Sequence, residues 1–397
     1  MATVRLKPGH VQPVWAGHPW VYAQAIDRVE GGASRGDEVT VTDPRGNFLG
    51  RGFYSPGSAI PVRILTRDKD EAIDLAFFRK RLAHALQVRK ALGLGDPDAE
   101  RPTTGYRLVH ADGDGLSGLI VDRFEETLAV QFLTAGMKQR ESTILEALHH
   151  VVAPRTVVDR TPSQVTKTEA FTPGSGVIRG ADIKAFVFQE RGIRWHIPLD
   201  LAQKTGFYFD QRDLRAKVEG LSKGKRVLDA YAFTATFGLA AARGGATEVV
   251  SVDESALAME VAAENARDNG LDRVMRFERQ DARRAMQDAH ASFDLAVVDP
   301  PRLAPSRGAR EQALVMYAKL AELGCRTTKP GGILVLCSCS AAIDLGSLTR
   351  ALATGAVRAN VQATVIDRGF QGPDHPVPAA FPEGLYLKAL VARIEPR

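Results

Sequence analysis

Two hydrophobic rhythms divide this 397-residue chain. Up to about residue 70, short alternating runs are cut by glycine and proline: Glu38–Thr42, Phe48–Tyr54 and 60–65. Period-two alternation with that punctuation predicts a small all-β barrel over 1–70. Between 72 and 93 the period changes, and Leu75, Phe78, Leu82 and Leu86 recur at spacings of three and four, as on one face of a helix. Strand-like runs at 118–122, 128–132, 156–158 and 185–188, with a helix over about 138–151, predict a central α+β unit over 71–188.

From about 225 apolar strands alternate with helices. Strands are predicted at 226–229, 248–253, 274–281, 293–299 and 332–339, and helices at 237–243, 255–269 and 310–327. Such alternation makes a parallel sheet covered on both faces, with ligands beyond the carboxyl ends of the strands. The chain from about 225 is therefore expected to form an α/β, Rossmann-like domain. The apolar run 385–394, after a proline-rich loop, predicts an added edge or antiparallel strand.

Four acids, Asp229, Asp253, Asp281 and Asp299, end four successive predicted strands and so share one rim. An acid closing the second strand can accept both hydroxyls of a ribose. The loop after the first strand, 229–238, has neither G-x-G-x-x-G nor a phosphate-binding lysine. A nucleoside donor without phosphates, such as S-adenosylmethionine, needs neither. Asp299-Pro300-Pro301 is a rigid elbow whose prolines fix the backbone and present carbonyls, suited to holding a flat base.

Beyond Asp299, after a Lys329-Pro330-Gly331-Gly332 turn, stands Cys337-Ser338-Cys339-Ser340, whose second cysteine is forty residues from that acid. A nucleophile and a carboxylate are thus set at the ends of two strands expected to be neighbours. Carbon 5 of cytosine is a poor nucleophile until carbon 6 is attacked, and a thiolate adds there reversibly. Only three cysteines occur, the third being Cys325, which fits a reducing cytosol and no disulfide framework. Cys-x-Cys without a nearby His or Cys cluster is poor zinc spacing, so no metal is expected.

Composition changes the picture little. Hydrophobic residues make up 44% and charged residues 25%, ordinary for a globular chain with a full core. The net charge of +5 permits nucleic-acid binding without requiring it. No signal-like segment or membrane-length apolar run is seen, and a cytoplasmic protein off the membrane is expected. Residues 186–226 hold nine Lys/Arg against five Asp/Glu, interleaved with Trp195, Phe207, Tyr208 and Phe209, a mixture suited to stacking on unpaired bases.

Three motifs carry a family resemblance. These are Gln203 to Arg212 (QKTGFYFDQR), the DPP loop followed by Arg302, and Asp374-His375-Pro376 with Pro382 to Lys388 (PEGLYLK). With them the whole chain resembles the bacterial large-subunit rRNA cytosine-5 methyltransferases of the RlmI type. Residues 189–397 look like a class I S-adenosylmethionine-dependent methyltransferase, and 1–70 resemble a PUA RNA-binding domain. The resemblance implies Cys339, between two serines, as nucleophile, with Asp299 holding the ring. It implies a donor pocket of Gln211, Asp229, Phe233, Thr234, Asp253, Asp281, Ala282, Asp299 and Pro300. Lys204, Phe207, Arg212, Pro301 and Arg302 are then expected to meet ribosomal RNA. Two departures stand out. Ala235-Thr236 replaces a pair of small residues, often Gly-Gly, and Arg302 stands where many RNA cytosine-5 methyltransferases carry a second cysteine. A base N-methyltransferase that needs no thiol, and a non-catalytic RNA-binding factor, are the alternatives. A monomer and a homodimer are both compatible with the sequence.

Overall fold

A computed structural model describes residues 1–172, 174, 176–202, 205–304 and 307–397. The chain divides into two compact units. One comprises Met1–Gly192, Ile197–Phe209 and Pro373–Gly384, the other Ile193–His196, Asp210–Gly372 and Leu385–Arg397.

The first unit opens with a six-stranded sheet in which Glu38–Thr42 and Phe48–Tyr54 pair as an antiparallel hairpin. The predicted alternation is realised there: Val39 and Val41 are fully buried while Thr40 faces outward. The helix Leu75–Ala91 is capped by the Asp74 side chain, which accepts from Phe77 N at 3.0 Å. It buries Phe78 and Leu82 against a five-stranded sheet that includes Gly105–His110, Leu119–Phe124 and Thr127–Phe132. Phe53 and Leu65 of the first sheet lie in that same core, and Ser55 Oγ donates to the buried Glu169 at 2.7 Å. Residues 1–70 therefore share packing with the segment that follows them.

The Asp374-His375-Pro376 motif returns to this first unit. Asp374 Oδ2 accepts from Arg107 N at 3.0 Å, and its carbonyl accepts from Arg89 Nη2 at 2.8 Å. Arg89 is forked onto Asp114, and Arg107 onto Asp122. Thr205 Oγ1 also donates to Asp122. Buried charges are tolerated only when paired this completely, so the motif reads as a clamp.

The second unit is a seven-stranded sheet. Its strands are β1 (Arg226–Ala230), β2 (Glu248–Asp253), β3 (Met275–Arg279), β4 (Phe293–Val298), β5 (Thr328–Ser338), β6 (Val361–Phe370) and β7 (Lys388–Pro396). Their order is β3-β2-β1-β4-β5-β7-β6, with β1 to β5 parallel and β7 antiparallel to both neighbours. Helices α1 (Arg212–Leu221), α2 (Thr236–Arg243), α3 (Ala256–Asp268), α4 (Ala282–Asp288), α5 (Arg310–Thr327) and α6 (Leu345–Arg358) accompany the strands. The core is small and branched aliphatics from β1, β4, β5 and β7 against Tyr317, Leu320 and Leu348. The expected last strand is antiparallel but does not lie at the edge. It inserts beside β5, and β6, which the sequence reading missed, takes the edge.

Candidate active site

The rim acids gather at one end of the second unit's sheet, each held differently. Asp229 lies inside β1 and is buried; its Oδ2 accepts from Gly238 N at 2.8 Å. A side chain at Gly238 would meet Ser251 Oγ at 2.4 Å, so the glycine permits this close approach of α2 to β1 and β2. Asp253 closes β2, with Oδ2 accepting from Phe233 N at 2.9 Å and Oδ1 from Ser255 N at 3.0 Å. Between them Tyr231, Phe233 and Ala235 all adopt left-handed φ, at 64°, 51° and 55°. Three such non-glycine residues in five positions are a strained loop of the kind that clusters at ligand sites. At Ala235 the strain gives the Gly-Gly departure a physical meaning, since a glycine would take that φ freely. Thr236 follows as the first, buried residue of α2.

Asp281 corrects the picture of four strand-terminal acids. Its strand stops at Arg279, and Asp281 is the N-cap of α4, accepting from Arg283 N at 2.7 Å and Arg284 N at 3.2 Å. The Arg283 guanidinium at 2.6 Å holds its carboxyl down to about 2. Ala282 behind it is buried in the first turn of α4.

Asp299 follows β4 directly. Gln211 Nε2 donates to its Oδ2 at 2.5 Å, and the Cys337 thiol is hydrogen-bonded to it as well. Cys337 lies within β5 and is fully buried; burial first, then Asp299, push its thiol well up. Cys339 lies one residue past the end of β5 and is half-exposed. Cys325, in α5, is pushed up to about 12 by burial. Of the three thiols, Cys339 is the one solvent reaches, and a thiolate forms readily only where water or charge supports it.

Ser340 knots this corner together. Its Oγ accepts from Ala304 N at 3.1 Å and lies 3.4 Å from the Tyr317 hydroxyl, while its carbonyl accepts from Lys388 Nζ at 3.0 Å. The loop after β4, helix α5 and strand β7 therefore all fix the residue next to Cys339. Pro300 is buried, whereas Pro301 and Arg302 are exposed at the rim. Ser340, Tyr317 and Lys388 had not been singled out as site residues. For Lys388 the signals were its place at the end of the PEGLYLK motif and a lysine opening an otherwise apolar run at 388–392.

Two expected RNA contacts are corrected. Phe207 is 1% exposed and packs edge-on to Phe188, with centroids 4.9 Å apart, so its ring is core. Arg212 is 4% exposed at the start of α1 and is no surface phosphate contact. Trp195 and Phe209 are buried too. Lys204 lies outside the described residues.

The donor fits what the pocket leaves unsatisfied. Asp229 Oδ1 and Thr234 Oγ1 are buried without a hydrogen-bond partner, and each oxygen of Asp253 accepts one N–H with a lone pair to spare. Orphaned buried acceptors of this kind call for a ligand. Burial, and less strongly the Asp299 and Asp253 carboxylates, push Asp229 up to about 8 against the opposing Gly238 N–H. A cationic group arriving there would draw its proton off.

Comparison with known proteins agrees with this architecture. Residues 119–390 match the S-adenosylmethionine-dependent methyltransferase family, and residues 4–67 match a PUA-like domain. The ribosomal RNA large subunit methyltransferase I of Shewanella denitrificans is 37% identical over 98% of this chain and 99% of its own. That of Photobacterium profundum is 36% identical over 99% of both. The crystal structure of SMU.776, a candidate methyltransferase complexed with SAH, superposes with a TM-score of 0.85 at 20% identity, covering 99% of this chain and 100% of that one. The chain belongs to the ribosomal RNA large subunit methyltransferase I family of S-adenosylmethionine-dependent methyltransferases. Among the described residues, no helix is long and apolar enough to cross a membrane.

Proposed function

We propose that this protein methylates carbon 5 of a cytosine in large-subunit ribosomal RNA in the cytoplasm, through a covalent bond between Cys339 and carbon 6. The observation that supports it best is the pairing at the ends of adjacent strands: a half-exposed thiol after β5, beside the anchored Ser340, and a carboxylate after β4 held by Gln211. The relatives' names supply the ribosomal RNA. In this reading the chain works as a PUA-like part at 1–70, a central part at 71–188 and a methyltransferase part at 189–397, with the PUA-like part and the exposed Pro301 and Arg302 as RNA contacts.

In this reading the Cys339 thiolate attacks carbon 6, forming a C–S bond and moving the C5=C6 electron pair onto carbon 5. Asp299 shares a proton with the ring nitrogen and so spreads the developing charge; Gln211 keeps its carboxyl in place. Asp229, Phe233, Thr234, Asp253 and Ala282 would hold the donor, which would supply an electrophilic methyl group to the electron pair on carbon 5 and leave as S-adenosylhomocysteine. Loss of the carbon-5 proton then re-forms C5=C6 as the C–S bond breaks, returning the thiolate. The base must be reached in an unpaired or flipped state, because carbon 6 is attacked from the ring face.

The test is covalent trapping. Fluorine at carbon 5 blocks the last proton loss, so RNA carrying 5-fluorocytidine at the target should form a denaturant-resistant adduct whose RNA-linked peptide contains Cys339. Methyl transfer to rRNA with no trapped adduct, and a product methylated on an exocyclic amine, would establish the N-methyltransferase alternative instead. Separately, Asp253→Ala should weaken donor binding by roughly 1.5–3 kcal/mol, the scale for hydrogen bonds to a charged acceptor. Unchanged affinity in calorimetry would remove Asp253 from the pocket.

A further inference from the structure

We infer that Lys388 is a positioning residue for the thiol: its ammonium group, anchored from the neighbouring strand on the carbonyl of the very next residue, Ser340, holds the Cys339 sulfur in its charged, attacking form. The inference rests on Cys339 being the nucleophile.

Lys388 opens β7 directly opposite Ser338, the last residue of β5. Its Nζ reaches onward to the Ser340 carbonyl at 3.0 Å, which sets the ammonium group against the residue that follows Cys339. It is 4% exposed, and the residues that continue its strand, Ala389 to Ala392, are all buried and apolar. Packing alone would be met by leucine or methionine there. A buried ammonium costs several kcal/mol unless opposed by charge, and one neutral carbonyl does not supply that. Among the described residues the carbonyl of Ser340 is its hydrogen-bond partner.

The surrounding groups narrow what the charge is for. Burial lowers Lys388 to about 8, while Cys339, and after it Asp344, favour its charged form. Asp344 is committed elsewhere: it caps α6 through Ser347 N at 2.7 Å and pairs with Arg310 at 3.3 Å. Asp299 is engaged by Gln211 and the Cys337 thiol. Asp229 is pushed up toward its neutral form, and Tyr317, whose hydroxyl lies by Ser340, is raised by burial. Cys339 is the group through which this charge can act on the reaction. A lysine so placed stabilises the thiolate before attack and again when the sulfur is expelled from carbon 6.

The experiment follows alkylation of Cys339 by iodoacetamide against pH in the full-length protein, with modified peptides quantified by mass so that the buried Cys325 and Cys337 are scored apart. Lys388→Met should move the half-maximal rate upward by about one pH unit and slow alkylation at pH 7 by about tenfold. Lys388→Arg should recover most of the shift. Superimposable profiles for wild type and Lys388→Met, with both folded by thermal melting, would overturn the inference. If Lys388→Met does not fold, the reciprocal measurement applies. In Cys339→Ala, Lys388 should react with acetic anhydride at lower pH than in wild type, and an unchanged Lys388 profile overturns the inference equally. The nucleophile reading is tested apart from this: methyl transfer surviving in Cys339→Ala rejects the nucleophile even where the alkylation profile shifts as expected.

Discussion

Replacing Cys339 by alanine is expected to lower methyl transfer to large-subunit RNA by roughly a thousandfold or more, the scale on which removal of a covalent nucleophile is felt. Donor affinity should stay within a few-fold of wild type, because the sulfur acts only on the RNA base. Cys337→Ala, two residues away, should keep activity within about tenfold. Its thiol is sealed inside β5, and the change removes one weak hydrogen bond to Asp299 and leaves a small void, about 1 kcal/mol in all. Transfer of labelled methyl groups into RNA, run beside calorimetry with the donor, separates the two effects. An inactive Cys337 variant beside a silent Cys339 variant would reverse the assignment and make the buried thiol the one exposed by substrate.

The contrast between those cysteines shows what was legible in the sequence. Two residues apart on a regular strand, both side chains would point to the same face, and the parity argument could not separate them. They differ because β5 ends at Ser338, and its end is set by the antiparallel partner β7, not by local sequence. Lys388 stood out only as the end of the PEGLYLK motif, and its contact beside Cys339 was hidden for the same reason: it lies 48 residues from Ser340 and meets it only through that ladder. Strands with strong local signals were read well. Glu38–Thr42 and Phe48–Tyr54 fall where alternation and glycine placed them. Asp229, Asp253 and Asp299 do sit at one end of the parallel sheet, since strand ends follow from the apolar runs alone. Asp281 drifted because an acid before a helix can equally be its cap, and the helix claimed it. The aromatics at 207 and 209 misled because composition shows that rings and cations are interleaved, but not which way the rings turn.

Asp229→Asn should stabilise the donor-free protein above pH 8 and cripple the donor-binding form. The carboxyl is buried, with one oxygen on Gly238 N and the other unpartnered, and it is pushed up to about 8. Burial is the main cause, with Asp299 and Asp253 adding repulsion. Because the folded value lies above the unfolded one, near 3.9, the stability this group contributes is complete below that value. It is lost as pH rises through about 8. Asparagine keeps the shape and cannot ionise, so its unfolding free energy should fall less between pH 5 and 8.5. At pH 8.5 without donor the variant should exceed wild type by about 1–3 kcal/mol in denaturant titrations. With donor the order reverses, because the cationic methionyl end needs a carboxylate opposite, and affinity should drop by roughly 1.5–3 kcal/mol. Wild type should accordingly release up to one proton on binding donor at pH 7, read from binding enthalpies in buffers of different ionisation heat, and the variant none. Parallel stability curves for the two proteins, together with equal proton release, would show that Asp229 is already ionised in the empty pocket and that the strained loop, not the acid, supplies the affinity.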